Sequence, residues 1–63
     1  MDYRSAMLIE AERVFGDKEK SAAWMSMPRA AFGNRSALEL SSDREGYKEV
    51  LEELMRIEHG FAS

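Results

Sequence analysis

The chain holds one histidine, His59, set between Glu58 and Gly60, and a run of carboxylates shortly before it, Glu49, Glu52 and Glu53. An imidazole next to a carboxylate is the smallest unit that could move a proton. Catalysis needs more: a nucleophile held by a base, or a second metal ligand. Ser5, Ser21, Ser26, Ser36, Ser41, Ser42 and Ser63 read as helix caps or surface residues, and none pairs with His59 in a nucleophile–base spacing. His59 has no second nitrogen to share a metal with, and the chain contains no cysteine, so a zinc site would need carboxylates alone or a second chain. Gly16 and Gly33 stand apart, and no glycine run could cradle a phosphate. Glu49 and Glu53 are like charges one helical turn apart, while Lys48 and Glu52 are opposite charges at the same spacing. A solvated helix face explains all four. The sequence therefore assigns no catalytic, cofactor-binding or metal-ligating residue, requires no cofactor, and reads as a non-enzyme.

The charge pattern narrows the partners. Nine basic residues stand against twelve acids, a formal net charge of −3. The basic residues are spread along the chain among the acids rather than gathered into a patch. Nucleic-acid binding draws on clustered cations that displace counterions, so no nucleic acid is expected to bind this chain alone. The longest apolar run, Ala6-Met7-Leu8-Ile9, falls far short of the ~20 residues that cross a bilayer. Met1-Asp2-Tyr3-Arg4 does not open a signal peptide. A soluble cytoplasmic protein with no membrane partner is the expectation.

What must position these residues is a small helical domain over 1–63. A chain of this size buries only about 60% of the surface its unfolded form exposes, and without cysteine it must rely on helix packing or on an oligomer. Helical spacing appears in two long segments. Tyr3, Met7, Ala11 and Val14 form one stripe, with Leu8 and Phe15 beside it; Asp2 is the expected N-cap and Gly16 the left-handed terminator. Tyr47, Val50, Leu51, Leu54 and Ile57 form the other stripe. There Ser42-Asp43-Arg44-Glu45 has the capping-box form with Ser42 as cap, and Gly60 is expected to close the helix. Arg56 and His59 fall in its last turn, where positive charge suits the helix dipole.

Two short helices are expected between them. Asp17 caps one that ends near Met25, ahead of Pro28, which cannot continue it. Gly33-Asn34 is a turn pair. Ser36-Ala37-Leu38-Glu39 is a second capping box that opens a one-turn helix and carries Leu38 and Leu40 inward. The fold class is all-α, a small four-helix domain with two longer helices flanking two short ones. Its expected core is Val14, Phe15, Trp24, Leu38, Val50 and Leu54.

The only tryptophan lies four residues before the only proline. It is either the keystone of a small core or an exposed anchor. Its segment otherwise offers mainly alanines, and an aromatic of this size buries ~150–250 Å², which favours the keystone. Methionines Met25 and Met27, with Phe32 nearby and Phe61 beyond the last stripe, leave more apolar side chains at the ends of elements than a minimal core uses. That excess points to an interface and to a homo-oligomer.

The order of these features carries a resemblance. Ala11-Glu12-Arg13-Val14-Phe15-Gly16-Asp17 is followed by Ala22-Ala23-Trp24-Met25, Pro28, Phe32-Gly33 and Ser36-Ala37-Leu38-Glu39-Leu40. Then come Gly46, Val50, Leu54, Arg56-Ile57-Glu58 and Gly60. This series resembles the toxin-binding domain of the Xre/MbcA/ParS antitoxins from about Ala6 to Gly60. The chain departs from the family pattern at Ala37, where the family usually has proline, and at Gly33-Asn34-Arg35, where it has a double glycine. It departs again at Ser41-Ser42-Asp43, where members carry a threonine-containing stretch. The helix-turn-helix region that usually precedes this domain is expected to be missing, and DNA-dependent autorepression with it.

The resemblance implies a bacterial toxin–antitoxin partner. Such antitoxins neutralise toxins of the RES fold, which consume NAD or ADP-ribosylate a target, by packing the last helix and tail over the NAD site. It implies Arg56, Glu58, His59, Gly60 and Phe61 as partner-binding residues, with Phe61 as the apolar anchor and Arg56 as an orienting charge. The other reading is a small helical adaptor or oligomerisation domain of a bacterial regulator with no toxin partner.

Overall fold

The computed structural model of the protein describes the backbone of residues 2–62 and the side chains of residues 2–60. Helix α1 spans Arg4–Phe15, α2 Lys18–Ser26, α3 Ala37–Leu40 and α4 Arg44–Ala62, with a 3-10 turn at Ala30–Phe32. The all-α architecture is the expected one, with the two longest helices at either end. Among the described residues the only extended pairing is an isolated antiparallel bridge between Arg29 and Arg35, which closes the loop around the 3-10 turn.

Local chemistry sets most of the boundaries. Gly16 ends α1 in the left-handed region at φ 68°, and its amide donates to the Glu12 carbonyl at 2.8 Å. Asp17 turns the chain into α2, its Oδ1 accepting from the amides of Glu19 at 2.8 Å and Lys20 at 3.3 Å. Ahead of Pro28, Met27 is extended at φ −84°, ψ 130°. Gly33 and Asn34 both take positive φ, 63° and 65°. Ser36 and Glu39 form the reciprocal capping box that starts α3.

Three boundaries differ from the sequence reading. Tyr3, not Asp2, occupies the N-cap position of α1 and makes no side-chain cap bond; Asp2 serves from one residue further out, accepting from the Arg4 amide at 2.9 Å. Asp43 rather than Ser42 caps α4. It directly precedes the first helical residue, so its carboxylate meets the third helical amide, that of Gly46, at 2.8 Å. Nor does Gly60 close α4, which runs on to Ala62. A glycine terminates a helix by going left-handed, and only Gly16 and Gly33 do so among the described glycines.

The core gathers Met7 and Ala11 of α1, Trp24 and Met25 of α2, Phe32 of the 3-10 turn, Ala37 of α3, and Val50 and Leu54 of α4. Val14 and Phe15 pack on it but are only partly buried. Leu38 is a correction: it is 39% exposed. A single turn following a buried cap can turn few side chains inward, and Ala37 takes that place, fully buried, with Leu40 half-covered. Ser21 and Ser41 are also fully buried instead of capping or facing water. Each hydroxyl donates to the carbonyl four residues earlier, Asp17 at 2.7 Å and Ala37 at 2.8 Å, so neither polar group is left unpaired.

Helices α1 and α4 run parallel. At one end the rings of Tyr3 and Tyr47 lie 5.1 Å apart, and the Tyr3 amide donates to the Ser41 carbonyl at 2.8 Å. At the other end Arg13 meets Glu58 at 2.9 Å. Gly46 admits α3 against the start of α4: a Cβ there would overlap the Leu40 carbonyl oxygen and lie 2.6 Å from its carbon.

Candidate partner-binding interface

The residues singled out near the C-terminus share the last turns of α4, but they do not form one free surface. Arg56 projects outward with its side chain 75% exposed, and its Nη1 donates to Glu53 Oε1 at 3.0 Å. His59 is exposed. Glu58 is committed instead to its own protein. Arg13 of α1 donates to it twice, Nη1 to Oε2 at 2.9 Å and Nη2 to Oε1 at 3.4 Å, while also reaching Glu10. Hydrogen bonding and charge from Arg13 hold the Glu58 carboxyl below the usual range, against a smaller effect of partial burial. The guanidinium is pushed up in turn, first by the hydrogen bond to Glu58 and then by that to Glu10. Glu58 thus fixes the end of α4 to α1, and Arg56 and His59 are the members presented to solvent. Gly60 continues the helix rather than releasing a tail, and the Phe61 side chain lies outside the described residues.

The acids of α4 gather on the opposite flank of that turn. Glu49, Glu52 and Glu53, with Arg56, line a shallow cleft of about 220 Å³ against Ala31 and Phe32. No three His, Asp or Glu residues among the described ones stand close enough to hold a metal ion together. The cation of this cleft is already bonded to Glu53.

Trp24 resolves toward the keystone. It is 7% exposed, 5.8 Å from Phe15 and edge-on to Phe32 at 6.2 Å between ring centroids. Arg29 lies over its face at 5.2 Å. The two methionines beside it divide: Met25 is buried and Met27 is 56% exposed. Only Met27 remains available to a partner, a distinction that two apolar residues flanking one serine cannot signal. Ile9 and Met55 are the other well-exposed large apolar residues of α1 and α4. Among the described residues, no helix is long and apolar enough to cross a membrane.

The profile of the antitoxin Xre/MbcA/ParS C-terminal toxin-binding domain matches residues 10–60. The matched span takes in the Gly16-Asp17 junction, Trp24, the α3 capping box, Gly46 and the last turns of α4. The chain is also 32% identical over 60 residues to a protein named Antitoxin Xre from Pseudomonas putida KT2440. That alignment covers 94% of this chain but only 38% of the relative, so the chain spans well under half of the relative's length. No solved structure matches it. With the profile running across most of the sequence and through each of the junctions that build the fold, the chain belongs to the Xre/MbcA/ParS family of antitoxin toxin-binding domains.

Proposed function

We propose that this chain is an antitoxin-type, non-catalytic binding module of the bacterial cytoplasm that neutralises a cognate RES-fold toxin by covering its NAD site. The observation that carries this reading is the family match across residues 10–60, which ends in the last turns of α4. The geometry of those turns supports it. Rigid helices make good blocking elements because little conformational freedom remains to be lost on binding. Here α4 is held to α1 by the Arg13–Glu58 contact, while Arg56 and His59 stand out toward solvent. Arg56 orients the partner through its charge, acting mainly on association rate. Phe61 supplies the apolar anchor, a role in which a desolvated aromatic contributes ~2 kcal/mol or more.

The test is co-expression with a RES-fold toxin, taken from the chain's own gene neighbourhood where one is encoded there, scored by cell survival and by the NAD pool. The chain is expected to restore both. A version ending at His59 is expected to stay folded by circular dichroism and to lose protection. Full protection by the shortened chain would remove the plug from residues 60–63. Failure of the intact, folded chain to bind or protect would return it to the adaptor reading.

A further inference from the structure

A second surface lies at the same end of the molecule. Val14 and Phe15 of α1, Trp24 of α2 and Met27 line an open groove of about 530 Å³, with Lys20 and Arg29 as its charged residues and no acid among them. In a chain of net charge −3 that local sign is reversed. Neither cation is in an ion pair among the described residues, a state they share with Lys18, Arg35, Arg44 and Lys48; what sets these two apart is the apolar lining beside them. Arg29 is held in place by stacking on Trp24, so its charge is already positioned. The apolar lining is accessible, because Met27 is 56% exposed and Val14 and Phe15 are only partly covered. An apolar surface carrying two uncompensated cations complements a segment that presents an apolar side chain next to carboxylates.

We infer that this groove docks an acidic, apolar segment of the toxin, forming a second contact beside the end of α4. The inference rests on the antitoxin reading above. Its placement follows from the parallel packing of α1 and α4. Val14 and Phe15 of the groove belong to the last turn of α1, the turn that Arg13 ties to Glu58, so both surfaces lie toward the same end of the helix pair. The groove supplies affinity and residence time, and the α4 end supplies the block.

The test compares binding of the intact chain and two variants to the RES-fold toxin used in the protection assay, by biolayer interferometry at low and high salt. Lys20→Glu combined with Arg29→Glu is expected to raise Kd at least tenfold, chiefly by slowing association, and to flatten the salt dependence. Met27→Asp changes an exposed side chain and so preserves the fold. It is expected to raise Kd at least tenfold through faster dissociation. Circular dichroism establishes that both variants are folded. If the wild-type chain binds and both variants bind with its Kd, the groove is not a docking site and the antitoxin reading stands. If the wild-type chain does not bind, both readings fall together. If Met27→Asp instead converts a dimer of the isolated chain to monomer without affecting the toxin, the occupant is a second copy and the inference is overturned.

Discussion

Arg13 grips Glu58 across a separation of 45 residues, and the contact joins the last turn of α1 to the last turns of α4. Both side chains are substantially exposed, 51% and 41%, so the pair orients the helix ends more than it stabilises the fold. Its pH dependence has a defined sign. The Glu58 carboxyl is held low in the folded chain, whereas the unfolded chain keeps the ordinary value of about 4.3. The unfolded state therefore takes up protons first as pH falls. The contribution is complete above the ordinary value and disappears as pH drops through the lowered one. Glu58→Gln is expected to lower Tm slightly at pH 7 and to leave it unchanged at pH 2. The difference at pH 7 should also shrink in 1 M salt. A Tm difference that stays constant from pH 7 to pH 2 would assign the effect to packing instead.

Two glycines of α4 should respond oppositely to alanine. At Gly46 the added methyl collides with the Leu40 backbone carbonyl, which cannot rotate away as a side chain can. Gly46→Ala is expected to cost ~1–3 kcal/mol or more through this overpacking. At Gly60 the added methyl meets nothing within 4 Å and the backbone is helical, so Gly60→Ala should gain up to ~1 kcal/mol of helix stability. Urea melts followed at 222 nm measure both. A destabilising Gly60→Ala would mean that Gly60 ends the helix after all.

The start of α4 offers a similar comparison. Asp43 accepts from the Gly46 amide, and Asp43→Ala is expected to cost ~1 kcal/mol. Ser42 is exposed and makes no side-chain cap bond among the described contacts, so Ser42→Ala should fall within ~0.5 kcal/mol of wild type. Thermal melts that rank the two variants the other way would restore the Ser42 capping box.

These differences show what the sequence could and could not convey. Asp17, Gly16, Pro28 and the Ser36–Glu39 box were legible because each is a local device, with donor and acceptor a few residues apart. The inward turn of Ala37 instead of Leu38 was not, because hydrophobicity ranks leucine above alanine, whereas the phase of a one-turn helix decides which side chain faces the core. The commitment of Glu58 to Arg13 depends on two helices lying parallel, and no spacing along the chain announces that. The groove was half legible: Met25 and Met27 suggested an interface, but only packing decides which of them is buried. Phe61 reads as an anchor from its type and its place beyond the last apolar stripe, and its side chain lies outside the described residues.

Trp24 provides the sharpest test of the core. It joins Phe15, Phe32 and Arg29 into one cluster, and no other large side chain of α2 except Met25 reaches the interior. Trp24→Ala removes the whole ring, and such a change costs ~3–5 kcal/mol through lost burial and the cavity left behind. A single core of this size rarely supplies more than ~3–5 kcal/mol, so the alanine variant is expected to be largely unfolded at 25 °C. Trp24→Phe should behave differently. The indole Nε1 is buried without a hydrogen-bond partner, a standing cost that phenylalanine abolishes. Phenylalanine also keeps an aromatic face under Arg29. The relief offsets part of the lost area, and the expected net loss is ~1–2 kcal/mol, leaving a folded domain with a cooperative but lower melt. Circular dichroism melts of the three proteins under one buffer decide it. An alanine variant that melts like wild type yet fails to bind its partner would make Trp24 an exposed anchor, and a phenylalanine variant as unstable as alanine would mean that the Nε1 group is satisfied.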